Sequence, residues 1–254
     1  MRSALALVIV AACGGKQRTP TSTYAAVHID VLAKDKVEQF VGARKAWVAA
    51  MDASGANDGR GVFLFVGDHV MINVRRFSTW ASFDTRGDAI DASLARVPKA
   101  ASEAYDKGSD DSLVWPHASE VWELDKDLSI GTLDEASADA GTIVWDDVKP
   151  DPADEDRYWK AVGEENAALA KAGYPLTRLG FRTRFGAGHV ITLWLAASEA
   201  ARDGAPSVEA AVASVVGEAR AKALEADIAA SIVHRDAQPF AVRHDLTRLR
   251  TIGE

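Results

Sequence analysis

The sequence repeats itself at a spacing of about 120 residues, and a chain built that way is expected to fold as two copies of one unit. Val41, Gly42 and Ala46 recur as Val162, Gly163 and Ala167 at an offset of 121. Phe65, His69 and Val70 recur as Phe185, His189 and Val190 at 120. Ser112 and Val114 recur as Ser231 and Val233 at 119, and Asp127-Leu128-Ser129 as Asp245-Leu246-Thr247 at 118. The offset falls one residue at a time, as short loop deletions would cause. Single identities carry little weight in an alanine-rich chain. The ordered series carries more, because the pattern of elements repeats with it.

In the first half Tyr24 to Val31 reads as a strand. A helix follows near Asp35, with Val37, Phe40, Val41, Trp47, Val48 and Met51 on one face and Gly55 at its end. Residues 61–66 and 69–77 flank a Gly67-Asp68 turn, a hairpin pattern. Residues 80–105 are helical in character, with a break forced at Pro98, which has no backbone donor. Ser119 to Leu124 alternates as a closing strand. The second half repeats this order: strand 142–148, helix 154–172 closed by Gly173, hairpin 179–185 and 189–195, a long helix 207–230, and strand 240–246. Residues 125–141 are acidic and aperiodic, and read as a linker. The expected class is therefore α+β: two ferredoxin-like β-α-β-β-α-β repeats, 24–124 and 142–247. A four-stranded sheet with helices on one face needs cover on the other. Val62 to Val66 is apolar at every position, which implies burial on both faces. Packing the two sheets together would satisfy both demands within a monomer.

This order of elements resembles the dimeric α/β-barrel superfamily of NIPSNAP-like, EthD-like, antibiotic-monooxygenase-like and chlorite-dismutase-like proteins. The run His69-Val70-Met71-Ile72-Asn73-Val74-Arg75-Arg76-Phe77-Ser78-Thr79-Trp80-Ala81-Ser82-Phe83 is similar to that group's third strand entering its second helix. The resemblance implies a pseudo-dimeric barrel over residues 24–247. It also implies two enzyme types. One is a cofactor-independent monooxygenase or isomerase. The other is a haem enzyme whose iron is held by a histidine on a helix of the C-terminal unit. Helix 207–230 has no histidine, and His234 follows it in an expected turn. No cofactor is therefore expected.

The chain opens with Met1-Arg2-Ser3, an apolar run Ala4 to Ala12, and Cys13-Gly14-Gly15, the pattern of a signal peptide over residues 1–12. Val10-Ala11-Ala12-Cys13 resembles the bacterial lipobox. That resemblance implies cleavage before Cys13, acylation of its thiol and new amino group, and anchoring in a bilayer. Gly14 in place of aspartate favours the outer membrane, with the protein facing the periplasm or the cell surface. The alternative is an uncleaved apolar terminus with an inert thiol. Residues 13–23 read as a lipidated cysteine and flexible tether. One cysteine allows no disulfide framework within the chain. A net charge of −8 argues against a nucleic-acid partner, whose phosphates require basic surface.

The chain lacks the phosphate-binding, dinucleotide, zinc-helix and nucleophile-elbow motifs. Its six histidines show no metal-ligand spacing, so neither a metal site nor a catalytic set is assigned. His69 and His189, equivalent in the repeat, read most simply as turn histidines bonded to backbone. Strand alternation yields a set of pocket candidates. Arg182 and Arg184 oppose Phe181, Thr183 and Phe185, and point into the barrel if the phenylalanines pack under helices. Asn73 and Arg75 share one face, as do His28 and Asp30. Together these side chains could hold a small anionic molecule; the simpler alternative is a solvated, mutually paired set at the barrel mouth. Trp194, on the face of Thr192 and Ala196, is the best aromatic candidate for an apolar ligand. The leading expectation is a non-enzymatic envelope module that binds a small molecule or partner. The alternatives are an enzyme using His28 or Asp30 as base, or a structural protein with a filled interior.

Overall fold

A computed structural model describes residues 24–56, 63–66, 69–131, 140–186 and 188–247. The expected signal peptide, Cys13, the tether, the Gly67-Asp68 turn and Val62 lie outside these residues. The described strands are β1 (Tyr24–Leu32), β2 (Phe63–Val66), β3 (Val70–Phe77), β4 (Leu113–Ile130), β5 (Thr142–Pro150), β6 (Thr177–Phe185), β7 (Val190–Ala196) and β8 (Ile232–Val242). They close into one antiparallel barrel in the order β1-β3-β2-β8-β5-β7-β6-β4. Each half supplies four neighbouring strands, and the halves join along two seams, β2 with β8 and β4 with β6. The described helices are α1 (Val37–Ser54), α2 (Trp80–Leu94), α3 (Lys99–Asp110), α4 (Glu155–Ala172), α5 (Glu199–Asp203), α6 (Val208–Val216) and α7 (Glu218–Ala230).

Local chemistry accounts for the helix ends. Gly55 and Gly173 close α1 and α4 at φ 64°, a left-handed conformation that costs glycine little. Thr79 and Ser82 form a reciprocal capping box at the start of α2. Ser198 and Ser207 cap α5 and α6. The expected long helix 207–230 is interrupted at Gly217, and β8 starts at Ile232, earlier than expected. Strand β4 runs on to Ile130, through part of the expected linker; residues 132–139 are outside the described set.

Alternation decides what fills the barrel. Trp122, Trp145, Phe181 and Phe240 point inward and pack on one another, with Trp122 edge-on to Trp145 at 4.8 Å and Trp145 stacked on Phe240 at 5.6 Å. Val27, Ile72, Leu179 and Leu193 complete the plug. The middle of the lumen is therefore an apolar core among the described residues. This corrects the expectation for Arg182 and Arg184. Phe181, the larger apolar group, takes the inward position, and the arginines face out. Arg182 pairs with Asp125 at 2.6 Å and lies 3.6 Å over the Trp159 ring; Arg184 pairs with Glu123.

The tail of each half crosses to the other. Leu128, at the end of β4, packs against Tyr158 and Val162 of α4. Leu246, beyond β8, packs against Phe40 and Val41 of α1. Both are followed by a hydroxyl that donates to a carbonyl four residues back, Ser129 to Asp125 and Thr247 to Arg243. Gly180 makes the Leu128 crossing possible, because a Cβ there would stand 2.3 Å from the Leu128 Cβ. Ser112 and Ser231, also repeat equivalents, are fully buried and donate to carbonyls four residues back, at 2.6 and 2.7 Å.

Candidate active site

Each half carries a cavity on the outer face of its sheet, and strand pairing relates the two position by position. In the first half β1 lies between β3 and β4, so that His28 is flanked by Asn73 and Ser119. In the second half β5 lies between β7 and β8, so that Asp146 is flanked by Thr192 and Ala237. Two residues along each strand, Asp30 corresponds to Val148 and Arg75 to Trp194.

The first-half cavity has a volume of about 290 Å³ and is lined by Ala26, His28, Asn73, Arg75, Ser119 and Glu120, with Phe83, Val121 and Phe185 as apolar wall. Ala26 is small and sits between Arg75 on β3 and Val121 on β4, which leaves the floor open. The His28 imidazole lies 2.6 Å from the Ser119 hydroxyl through Nδ1 and 3.1 Å from Asp30 Oδ1 through Nε2. The Asp30 side chain is only 6% exposed, whereas that of His28 is 37% exposed. A sealed carboxylate thus orients an imidazole that solvent and ligand can reach. Burial lowers the pKa of the Arg75 guanidinium, against the opposing pull of Tyr105 and Asp30; an arginine stays charged regardless. Asn73 Oδ1 and Arg75 Nε are buried without hydrogen-bond partners. Such groups are costly to leave unmatched in a core.

The second-half cavity is about 220 Å³, between the sheet and α4, α6 and α7. Its walls are Val148, Val162, Val212 and Leu224, and four of its charged groups form two pairs. Arg235 grips Asp146 with two hydrogen bonds of 2.8 and 2.7 Å. Arg178 binds Glu165 at 2.9 Å and lies 4.9 Å over Trp194. Burial pushes the Tyr158 hydroxyl up to about 12, so it is protonated and is a poor base. The lining offers haem iron no histidine, cysteine or methionine, and its one tyrosine, Tyr158, is held protonated.

The expected candidates therefore separate. His28, Asp30, Asn73 and Arg75 come together, but on the outer face of the sheet and not in the lumen. Trp194 lines the other cavity. Arg182 and Arg184 belong to neither. Ser119 was missed as a partner of His28; the signal available was its place on the alternating strand 119–124. Asp146, Arg178 and Arg235 were missed because their pairings join residues far apart in sequence.

His189 also differs from expectation. Val27 pairs with Val74 in the first half and Trp145 with Leu193 in the second. Counting from these pairs, His189 matches Val70 and not His69, and so it turns inward. There Glu120 binds it at 2.9 Å and Asp147 at 2.7 Å. Burial alone would lower its pKa, but hydrogen bonds to the two carboxylates outweigh burial and push it up to about 9.

No protein-family model and no curated protein matches the chain. Solved structures do. A candidate monooxygenase of Fusobacterium nucleatum subsp. nucleatum is 12% identical with a TM-score of 0.55, covering 88% of this chain and 94% of its own. A second candidate monooxygenase, from Lactobacillus acidophilus, is 12% identical with a TM-score of 0.52, covering 91% and 97%. An anthrone oxidase-like protein is 14% identical with a TM-score of 0.52, covering 92% and 94%. The fold is that of the dimeric α/β-barrel group. At these identities the likeness is one of fold. It nevertheless corrects the leading expectation of a non-enzymatic binding module, because these structures, alike over nearly the whole chain, carry enzyme descriptions.

Proposed function

We propose that the protein is an enzyme that removes a proton from a small, largely apolar substrate in the first-half cavity. This is the step that a cofactor-independent monooxygenase or isomerase requires. The observation that carries the reading is the His28 imidazole, held by buried Asp30 at 3.1 Å in the wall of a cavity with an arginine across its floor. A carbon acid needs a base beside the C–H bond and a positive charge near the enolate oxygen. His28 supplies the first and Arg75 the second. Phe83, Val121 and Phe185 suit an aromatic body. The descriptions of the structural neighbours as monooxygenases and anthrone oxidase-like support the same class.

The test is exchange of the α-hydrogens of a cyclic aryl ketone, 1-indanone, in deuterated water, followed by NMR, with oxygen uptake recorded in parallel. The wild-type protein should accelerate exchange, and Asp30→Asn should slow it about 10-fold or more. Wild-type protein that leaves the exchange rate at the buffer value would overturn the reading.

The proposal extends to architecture and place. The strand orders β4-β1-β3-β2 and β8-β5-β7-β6 support two tandem ferredoxin-like units acting as a monomeric pseudo-dimer. The lipobox-like Val10-Ala11-Ala12-Cys13 supports an outer-membrane lipoprotein. Cys13→Ser should release it from membranes, and continued membrane association of that variant would reject the anchor.

A further inference from the structure

We propose that Ser119, His28 and Asp30 form a nucleophile–base–carboxylate relay that hydrolyses small aryl esters through an acyl-Ser119 intermediate. The inference shares the His28–Asp30 base with the preceding reading but requires no oxygen chemistry and no enolisable substrate. Its basis is geometric. The Ser119 hydroxyl is 2.6 Å from His28 Nδ1, within the range of a nucleophile and its base. On the other side of the ring, Asp30 Oδ1 is 3.1 Å from Nε2. Such a set is recognised by geometry and roles and not by chain order. Ser119 and His28 both line the cavity, while the Asp30 side chain is buried behind them.

The proton balance follows from these contacts. In the tautomer protonated at Nε2, the ring nitrogen that faces Asp30, Nδ1 accepts from the Ser119 hydroxyl. Ser119 Oγ adds to the ester carbonyl carbon as its proton passes to Nδ1. The carbonyl oxygen becomes an oxyanion. As the carbonyl re-forms, the carbon–oxygen bond to the leaving aryl oxide breaks, and Nδ1 returns the proton to that oxide, giving a phenol. Water then repeats the sequence: its proton goes to Nδ1, its oxygen adds to the acyl carbon, and Ser119 Oγ leaves and recovers the proton. The products are a carboxylic acid and a phenol, with no change of oxidation state.

The surroundings select the substrate. Backbone amides on a central strand are committed to the ladder, so side chains must meet the oxyanion. Arg75 stands across Ala26 from the nucleophile's strand, and Asn73 is beside His28. A cationic side chain at that place favours a developing negative charge. A cavity of about 290 Å³ admits a short acyl chain and a single aromatic ring, not a folded polypeptide. The second half is an internal control, because Ala237, Asp146 and Val148 stand at the corresponding positions, with no hydroxyl and no imidazole, and Asp146 is held by Arg235.

The experiment treats the full chain with p-nitrophenyl acetate, recording p-nitrophenol release and intact mass after rapid acid quench, with peptide mapping of the adduct. A burst of p-nitrophenol and a single acetyl adduct on Ser119 are expected. Ser119→Ala should lose both, and His28→Gln should slow acylation at least 100-fold. Thermal melts establish that each variant is folded. No adduct on folded wild-type protein, or an adduct that persists at the same rate in Ser119→Ala, overturns the proposal. Ketone exchange without acylation would remove this inference alone, and acylation without ketone exchange would remove the proton-abstraction reading alone.

Discussion

Five outward positions on the first-half sheet hold His28, Asp30, Asn73, Arg75 and Ser119, and the same five on the second hold Asp146, Val148, Thr192, Trp194 and Ala237. The backbone frames are alike, yet the chemistry is not. In the second half the charged groups on the sheet are paired, Arg235 with Asp146 and Arg178 with Glu165, although Arg178 Nε is buried without a hydrogen-bond partner. In the first half an accessible imidazole, a hydroxyl and a guanidinium face a cavity, and two buried polar atoms lack partners. On the proposed reading one half is reactive and the other is a support. Fold alone does not locate function.

The largest effect should separate the two copies outright. His28→Asn is expected to reduce turnover about 100- to 10,000-fold, the range for loss of a general base. Asp146→Asn, its positional counterpart, should leave turnover intact and lower thermal stability instead. Steady-state rates and melting curves on the two variants check this. Equal loss of turnover in both would mean that the cavities are not distinct.

The next test concerns the crossed tails. Leu128→Ala and Leu246→Ala should each cost about 2–4 kcal/mol, typical of large-to-small changes in a core. Hydrogen exchange should then report loosening of α4 for Leu128→Ala and of α1 for Leu246→Ala. Loosening confined to the half that carries the mutation would contradict the crossing.

A smaller effect distinguishes His189 from its counterpart Val70. The folded pKa of about 9 exceeds the ordinary 6.5. The protonated imidazole therefore contributes its full stability below pH 6.5, and that contribution is lost as pH rises through 9. The loss should be on the order of 3 kcal/mol. Urea unfolding at pH 6 and pH 10 measures it, and His189→Gln should flatten the difference. Least of all, Arg184→Ala should change stability by under about 0.5 kcal/mol, because its pair with Glu123 is solvated.

Much of the frame could be read from the sequence. The Ser112–Ser231 and Leu128–Leu246 pairs occupy equivalent places, and alternation set His28 beside Asp30 and Asn73 beside Arg75. What alternation leaves open is which face is the core. Phe181 and Phe185 look alike in sequence, but Phe181 is fully buried in the lumen and Phe185 is 64% exposed. The arginines between them turn outward as a result. Likewise, an offset of 120 aligns His69 with His189, whereas pairing requires 119. A slip of one residue reverses a strand's faces, and it hid the His189–Glu120–Asp147 cluster. The contact of Ser119 with His28 spans 91 residues and depends on register across two strands, which no local pattern encodes.

The central claim is that the first-half cavity, and not the second, takes the substrate. Titration of isotopically labelled protein with 1-indanone, followed by amide NMR, tests it directly. The expected result is a set of shifts at Ala26, Val27, Ser119 and Val121 that is lost in His28→Asn. Shifts centred on Val162, Val212 and Leu224, with the first-half amides unmoved, would contradict the account.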